Sequence, residues 1–388
     1  MAKISSYKSK VYMQLNAEND ITIIPTASVL SIVIDSSFEI RMMPIIYVTL
    51  NVETEIYNKI VKHRNDGRIY LNVRYYDANV SIPFYKNRIK GQFIYFPPSQ
   101  YDYRTIIQGG NSNVDNSYNK MVLGLISADL LNFNSTTFNG NYRNISTENL
   151  LKVVTSGRDF IMDDIDKNEI FSNFYFPPIT NRSDAIRYVY GETDFYNRDY
   201  IYFNDFDTSY LLKIDSRKKS DHNIAKDVIF RINKINVADA FYEGMEIKKD
   251  SYIVYLNGSN VEYNENDIMD KISTQIISVS DDSVSNIDLD IMKNESLTAK
   301  KTYRRSSSDD AESIKSIYET SDVSVNIVKP NLDGSLFTPN VTFKVDNANE
   351  HDSKYNGIYN IMYKKEVIMK QDNQYNNVII VGFRKLKK

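Results

Sequence analysis

The chain has 388 residues, enough for two or three domains at roughly 150 residues each. It is 42% apolar and 25% charged, which excludes disorder by composition. A net charge of -3 and a pI of about 5.8 argue against a dedicated nucleic-acid binder, which carries a basic field. There is no cysteine, so disulfides, thiolate zinc sites, iron–sulfur clusters and a Cys nucleophile are excluded. The three histidines, His63, His222 and His351, lie too far apart for a His-rich metal motif, and a Ser-His-Asp triad would need one of them. Glycine is scarce at 13 residues, whereas 30 Tyr and 18 Phe favour pleated, half-buried surfaces.

No targeting segment is read at the N-terminus. The apolar stretch from Ile21 to Ile34 is broken by Pro25 and is shorter than the roughly 20 apolar residues of a spanning helix. The expectation is a soluble protein made in a cytoplasm.

The first folded unit is expected to begin near residue 20. Ile21–Ile24 and Ser31–Ile34 read as strands, followed by Phe38–Arg41 and Ile45–Leu50 around Pro44. From Asn51 to His63 the period changes: Val52, Ile56, Tyr57, Ile60 and Val61 recur at helical spacing, with Asn51 as the expected cap. Asn65-Asp-Gly67 ends that helix. Strands are then expected at Arg68–Tyr75, Val80–Tyr85 and Ile89–Phe96. Ile69, Leu71 and Val73 alternate with Arg68, Asn72 and Arg74, so one face should be buried and one wet. Strands, one helix and strands again predict a small barrel with a helix packed over an open end.

Residues 97–120 read as a loop, Lys120–Ile126 as a strand and the Asn-rich 132–144 as a linker. A second unit begins at Ile145. Ser146 caps a helix carrying Leu150, Leu151, Val153 and Val154, closed by Gly157. A strand is expected from Phe160 to Asp164, a helix over Asn181–Tyr190, and a hairpin pairing Tyr200–Phe203 with Tyr210–Ile214 across a turn at Asn204–Ser209. Further strands are expected at Val228–Ile235, Ser251–Leu256, Ser273–Ser280 and Ile287–Met292, and a short helix at Ala311–Glu319. The tail returns to strands at Val323–Val328, Val341–Val345, Ile358–Met369 and Tyr375–Arg384. The fold class is therefore mainly β with a few short helices.

No motif carries chemistry. The phosphate loops GxxxxGK[ST] and GxGxxG are absent. Asp164-Ile-Asp-Lys-Asn168 starts like a calcium loop, but Glu169 stands where glycine is needed and Tyr175 where the closing Glu is needed. Asp205 and Asp207 invite a paired-carboxylate reading, yet both lie in a hairpin turn, where Asp bonds its own backbone. Lys218-Lys219 and the run from Lys385 to Lys388 read as solvated ends. The Tyr and Phe content suits carbohydrate stacking less well than core packing, because most of it falls at strand spacing. No catalytic, cofactor-binding or metal residue is assigned.

The order of two segments carries a resemblance. Phe174-Tyr-Phe-Pro-Pro-Ile-Thr-Asn-Arg-Ser-Asp-Ala-Ile-Arg-Tyr-Val-Tyr-Gly191 runs on to Tyr200-Ile-Tyr-Phe-Asn-Asp-Phe-Asp-Thr-Ser-Tyr-Leu-Leu212. Later comes Phe337-Thr-Pro-Asn-Val-Thr-Phe-Lys-Val345, then Gly357-Ile-Tyr-Asn-Ile-Met-Tyr-Lys. With Met43-Pro-Ile-Ile-Tyr-Val-Thr-Leu in front, this resembles the baseplate central hub proteins of contractile-tailed phages and related injection systems. The resemblance implies two tube-like β-barrels, each with a packed helix, and a smaller accessory β region. By that resemblance the first barrel takes residues 1–144, completed by part of 216–250. The second takes 145–215 with 320–388, and 225–319 is accessory.

The resemblance further implies a homotrimer whose six barrels ring a DNA channel, joining a hexameric tail tube to a threefold central spike in the virion baseplate. Wedge or tape measure proteins are possible further partners. DNA would pass without specific binding, and no enzyme activity, cofactor or metal is implied. A mildly acidic wall would suit that passage, since a basic one would gain affinity by releasing counterions. The alternatives are a phage or bacterial surface β protein that binds glycans, or a glycosidase using Asp205 or Asp207.

Overall fold

The computed structural model of the chain describes residues 7–18, 20–38, 42–77, 81, 84–96, 118–163, 168–192, 200–213, 224–233, 246–248, 251–257, 261–264, 275–280, 283–288, 302–304, 321–327, 337–345, 356–371 and 374–385. The first seven strands are β1 Tyr7–Ala17, β2 Asp20–Ile24, β3 Val29–Ser37, β4 Ile45–Glu53, β5 Arg68–Asp77, β6 Lys86–Phe96 and β7 Tyr118–Ser127. Helix α1, Thr54–Lys62, continues directly from β4. The last two described strands are long, β22 Gly357–Gln371 and β23 Gln374–Lys385.

These strands close a barrel. Going round the wall, β3 pairs β4, then come β7, β6, β5, β1, β23 and β22, and β22 returns to β3, every pairing antiparallel. Eight strands enclose an interior just wide enough for side chains to fill. The alternation in sequence dictates which ones. Val11, Met13 and Leu15 of β1, Ile46, Val48 and Leu50 of β4, and Ile69, Leu71 and Val73 of β5 are all buried in one core, while Arg68, Tyr70, Asn72 and Arg74 point outward. Closure also leaves the wall few free edges for uncontrolled pairing.

Helix α1 packs on this core through buried Ile60, with Ile56 and Tyr57 half-buried against it. The Tyr95 hydroxyl donates to the Ile60 carbonyl at 2.7 Å. A helix across one end of the barrel is what the period change at residues 51–63 predicts, although it starts at Thr54 and not at Asn51.

The second unit holds α2 Ala128–Ser135, β8 Thr137–Ser146, α3 Thr147–Val154, β9 Asp159–Met162, β10 Ile170–Asn181, α4 Arg182–Glu192, β11 Tyr200–Asn204 and β12 Thr208–Lys213. Strands run straight into helices here, and side-chain caps mark the change. Ser127 Oγ accepts from Leu130 N–H, Ser146 Oγ from Asn149 N–H, and Asn181 Oδ1 from Asp184 N–H. Strands β8 and β10 form one two-stranded sheet, and β11, β12 and β9 a three-stranded one. Leu150, Leu151 and Val154 of α3 meet Ala185, Ile186 and Val189 of α4 and Phe174 and Phe176 of β10 in a second core. Gly157, at φ +96°, ends the helical segment in the left-handed region as its position predicts.

Between the units and the end of the chain lie β13 Ile224–Asn233, β14 Glu246–Lys248, β15 Ser251–Asn257, β16 Val261–Asn264, β17 Gln275–Ser280, β18 Ser283–Asp288, β19 Thr302–Arg304, β20 Ser321–Ile327 and β21 Thr342–Val345. Strand β21 pairs the start of β22, and β20 pairs the end of β23. The final hairpin thus has two halves. Its tip half, Tyr363–Met369 and Tyr375–Asn376, closes the barrel against β3 and β1. Its root half pairs β20 and β21.

A bulge at Met362 separates these halves. Gly382 faces Tyr363 there, and a Cβ on it would stand 2.0 Å from the Tyr363 ring. A side chain fits there only if the Tyr363 ring moves.

Several expectations are corrected. The barrel is completed by residues 357–385 and not by part of 216–250; β13, from that segment, pairs β15 and β21 instead. The first described strand begins at Tyr7, well before residue 20, because Val11, Met13 and Leu15 already alternate. Residues 128–135, partly read as linker, are helical, and 137–146 is a strand. The strand expected at Val80–Tyr85 is absent at the described residues 81, 84 and 85, and β6 starts at Lys86. The helix expected at Ala311–Glu319 lies outside the described residues.

Candidate functional site

At the end of the barrel away from α1, the apolar interior gives way to charge. On β22, Lys364 and Glu366 occupy the same inward phase as Ile368, and both are 1% exposed. Strand β6 contributes Arg88 through a bulge: Val73 pairs Ile89 and Arg74 pairs Asn87, so Arg88 is the extra residue and turns inward beside Ile89. Its guanidinium meets the Glu366 carboxylate by two prongs, Nε at 2.8 Å from Oε2 and Nη2 against Oε1. The Tyr75 hydroxyl donates to Glu366 Oε2 at 2.8 Å, and Lys364 Nζ lies 3.1 Å from Oε1.

Burial alone would raise the Glu366 pKa. The Arg88 and Lys364 charges and the hydrogen bonds from Arg88 and Tyr75 outweigh it and hold the carboxyl well below its usual range. Burial likewise opposes the charge on Arg88, and Glu366 more than restores it. The cluster is a fixed ion network, held by geometry and hydrogen bonds and not poised for proton transfer.

The turn of the β11–β12 hairpin covers this end. Asn204 N–H donates to the Met42 carbonyl at 2.8 Å. Phe203 stacks edge-on against Phe38 at 4.8 Å, and Phe206 meets Phe93 at 6.4 Å. The Arg88 guanidinium lies 5.6 Å from the centre of the Phe206 ring. Behind the turn, the Asn204 amide donates to Asn134 Oδ1 of α2 at 3.1 Å, and the Ser209 hydroxyl donates to Asn204 Oδ1 at 2.6 Å. Phe133 of α2 lies under two guanidiniums of the second unit, Arg182 at 4.3 Å and Arg158 at 5.3 Å. Arg158 also donates to the Asp205 carbonyl and to Ser209 Oγ. The second unit is therefore locked to the barrel by its aromatic plug and the Arg88–Phe206 cation–π contact, while the Phe133 clamp ties α2 to the rest of that unit.

The residues weighed in the sequence fall into place around this junction. Asp205 Oδ1 accepts from Phe206 N–H at 2.9 Å, and Asp205 N–H donates to the Thr208 carbonyl at 2.8 Å, so Asp205 builds the turn; Asp207 is exposed on it. His63 Nδ1 lies 3.0 Å from Asp66 Oδ2 at the end of α1, a bond that lowers the Asp66 pKa. Asn168 Oδ1 accepts from Glu148 N–H at the start of α3. The rest of the 164–168 run, His222, His351, Lys218-Lys219 and the final three residues, 386–388, lie outside the described residues. Among the described residues no group of three His, Asp or Glu could hold a metal, and no helix is long and apolar enough to cross a membrane.

Sequence reasoning missed Arg88, Lys364 and Glu366. One signal was available: in the strand expected at Ile358–Met369, two charged residues share the phase of Ile368.

No protein-family model matches the chain, and no curated protein matches it. Among solved structures it is similar to the 43 kDa tail protein of prophage MuSo2 from Shewanella oneidensis, at 11% identity over 95% of this chain and 97% of that one, with a TM-score of 0.49. A tail protein from Neisseria meningitidis MC58 is similar at 9% identity over 96% of each chain, TM-score 0.47. The E. coli c3393 protein, a component of the type VI secretion system with structural similarity to T4 tail proteins gp27 and gp5, is similar at 8% identity. That match covers 96% of this chain and 77% of the other, with a TM-score of 0.41. Structures similar to this chain over nearly its whole length are thus phage tail and type VI secretion proteins.

Proposed function

We propose that this chain is a structural hub of a phage-type contractile-tail baseplate. The observation that carries the reading is the closed eight-strand barrel, with a helix across one end and a second strand–helix unit clamped to the other. Such a chain presents two bodies at a fixed separation, which a ring-forming adaptor needs. The ordered motifs from Met43, Phe174 and Phe337 agree with it.

In this reading residues 145–215 build a second barrel with strands from 320–388. The root half of the final hairpin, with β20 and β21, supplies part of that wall. Three chains then place six barrels in one ring of near-sixfold symmetry, which mates with a hexameric tail tube on one face and a threefold spike on the other. Cyclic closure keeps such an assembly finite. DNA passes through the ring without specific binding. The protein works without catalysis, in the virion tail, after assembly in the host bacterial cytoplasm.

Mass photometry of the purified chain tests this, together with co-sedimentation on tail-tube polymers and on the spike protein. The expected result is a species of three 45.0 kDa chains that binds both partners. A chain that stays monomeric at micromolar concentration and binds neither overturns the reading.

A further inference from the structure

The two ends of the barrel are closed by different chemistry. Helix α1 follows β4 without a break and covers its end with Ile56, Tyr57 and Ile60, so the chain itself fixes where that cover lies. The other cover is the turn at residues 205–207, between β11 and β12. The chain reaches it only after running through α2, α3 and α4 from the end of β7 at Ser127. Phe203 on Phe38 and Phe206 on Phe93 fill space there, but apolar contact has no direction and by itself admits more than one seating.

Arg88 supplies the direction. Its two-pronged bond to Glu366 fixes the plane of the guanidinium as well as its place. Glu366 is fixed in turn by the Tyr75 hydroxyl at 2.8 Å and by Lys364 at 3.1 Å. The same guanidinium lies 5.6 Å from the centre of the Phe206 ring, within the range of a cation–π contact. Phe206 stands between two acidic residues, Asp205 and Asp207, and Asp205 is near enough for its charge to act on Arg88. A slide of the turn by one residue in either direction would put a carboxylate where the ring now lies, beside Glu366, and like charges brought together are costly. One seating is favoured and its neighbours are penalised.

Neither catalysis nor stability accounts for this network. Its carboxyl is pinned and covered, and apolar residues of similar volume are often as stabilising as a buried ion pair. Bulges recur where a side chain is re-aimed, and here the bulge aims Arg88 at the one end that a separate unit covers.

We propose that Arg88, held by Glu366, Lys364 and Tyr75, is a positioning residue that sets the angle at which the second unit sits on the barrel. The setting of the angle stands without the hub reading; its use rests on that reading. Copies close into a ring only when every chain holds its two bodies at the same angle. A chain that seats its second unit in several ways would give open or mixed assemblies.

The chain has no cysteine, so Ile23→Cys on β2 and Tyr175→Cys on β10, both exposed, take one spin label each. Double electron–electron resonance on the full chain, diluted with unlabelled copies, reads the distances between barrel and second unit. A single narrow distribution is expected. It should become at least twofold wider, or split, in Phe206→Leu, which leaves the network intact, and in Arg88→Met/Lys364→Met/Glu366→Leu, both with the circular dichroism of the parent. Phe206→Tyr keeps the ring and should match the parent. A network that served stability alone would shift the urea midpoint and leave the width unchanged.

A folded Phe206→Leu or a folded triple variant with the parent's width overturns the proposal. So does a parent distribution that is already broad, or Phe206→Tyr as wide as Phe206→Leu. Should the triple variant misfold, Phe206→Leu against Phe206→Tyr decides. Mass photometry of the same samples separates the two readings. A monomeric parent whose distances widen in the variants overturns the hub and keeps the positioning role; a trimeric parent whose widths never change does the reverse.

Discussion

Arg88 and Glu366 lie 278 residues apart in the chain and meet as a two-pronged ion pair inside the barrel. Arg88 comes from a bulge in an N-terminal strand, Glu366 from the strand that closes the wall. Neither could be buried alone, because an isolated charge in an apolar interior costs several kcal/mol. Their union ties the barrel seam to the end that the second unit covers.

Removing one partner strands the other. Arg88→Ala or Glu366→Ala should destabilise the protein by about 3–5 kcal/mol, whereas replacing all three charges, Arg88→Met with Lys364→Met and Glu366→Leu, should fall closer to the parent. Urea unfolding followed by tyrosine fluorescence measures both. A single variant as stable as the parent would show that the pair is not buried as described.

Acid should act on the same carboxyl. Its folded pKa is depressed below the ordinary 4.5, so Glu366 contributes stability that is fully present above that value and is lost as pH falls below it. The urea midpoint should drop steeply below about pH 4.5 in the parent and less steeply in Glu366→Gln, which starts lower. Parallel curves for the two proteins would contradict this.

Alkali works through tyrosines. Burial pushes Tyr95 and Tyr375 up to about 12, so their neutral forms contribute stability that is present below pH 10 and is lost as pH rises from 10 towards 12. Tyr375 also donates to the carbonyls of Thr26 and Val29 at 2.6 and 2.9 Å. Tyr375→Phe should cost about 1–3 kcal/mol at pH 7, from the hydrogen bonds lost at these two carbonyls, and flatten the loss above pH 10. Melting curves at pH 7, 10 and 11 test it.

A Cβ on Gly382 would collide with the Tyr363 ring. Gly382→Ala should cost about 1–3 kcal/mol, and Tyr363→Ala in the same chain should recover much of that, because the clash needs both groups. A double-mutant cycle by denaturant unfolding reads the coupling. Additive effects would mean that the ring moves aside freely.

Truncation after residue 355 removes the two strands that join β1 to β3. The remaining wall has two open edges, so the truncated chain should aggregate on expression and not yield a smaller soluble domain. A soluble, monodisperse product would refute the closure.

Much of this was legible in the sequence, and the limits are physical. Alternation revealed β5, the core of β6 and both strands of the last hairpin, since each has one apolar face. Helical spacing revealed α1, Ser146 marked the cap of α3, and α4 was expected from Asn181, which is its cap. Strand β1 was overlooked because Lys8 and Lys10 stand among its apolar residues. Asn132, Asn134 and Ser135 disguised α2 as linker, although Asn134 is buried against Asn204. The closure itself leaves no local trace: nothing in residues 357–385 says that they pair with residues 8 and 9 rather than with nearer strands. At the junction, the turn chemistry of Asp205 was readable, but the plug is Phe206, and its partner Arg88 is turned inward by a bulge that no spacing rule announces.

The Ser9 hydroxyl donates to Asn377 Oδ1 at 2.6 Å, joining residues 368 positions apart across the barrel seam. A ribosome adding about 5–20 residues per second needs roughly 20–70 s to make that span. Through that interval the N-terminal strands wait with two raw edges, and the barrel completes only once residues 357–385 have left the exit tunnel. Folding of this wall is thereby timed to the synthesis of residues 357–385, so a shorter nascent fragment keeps its edges open.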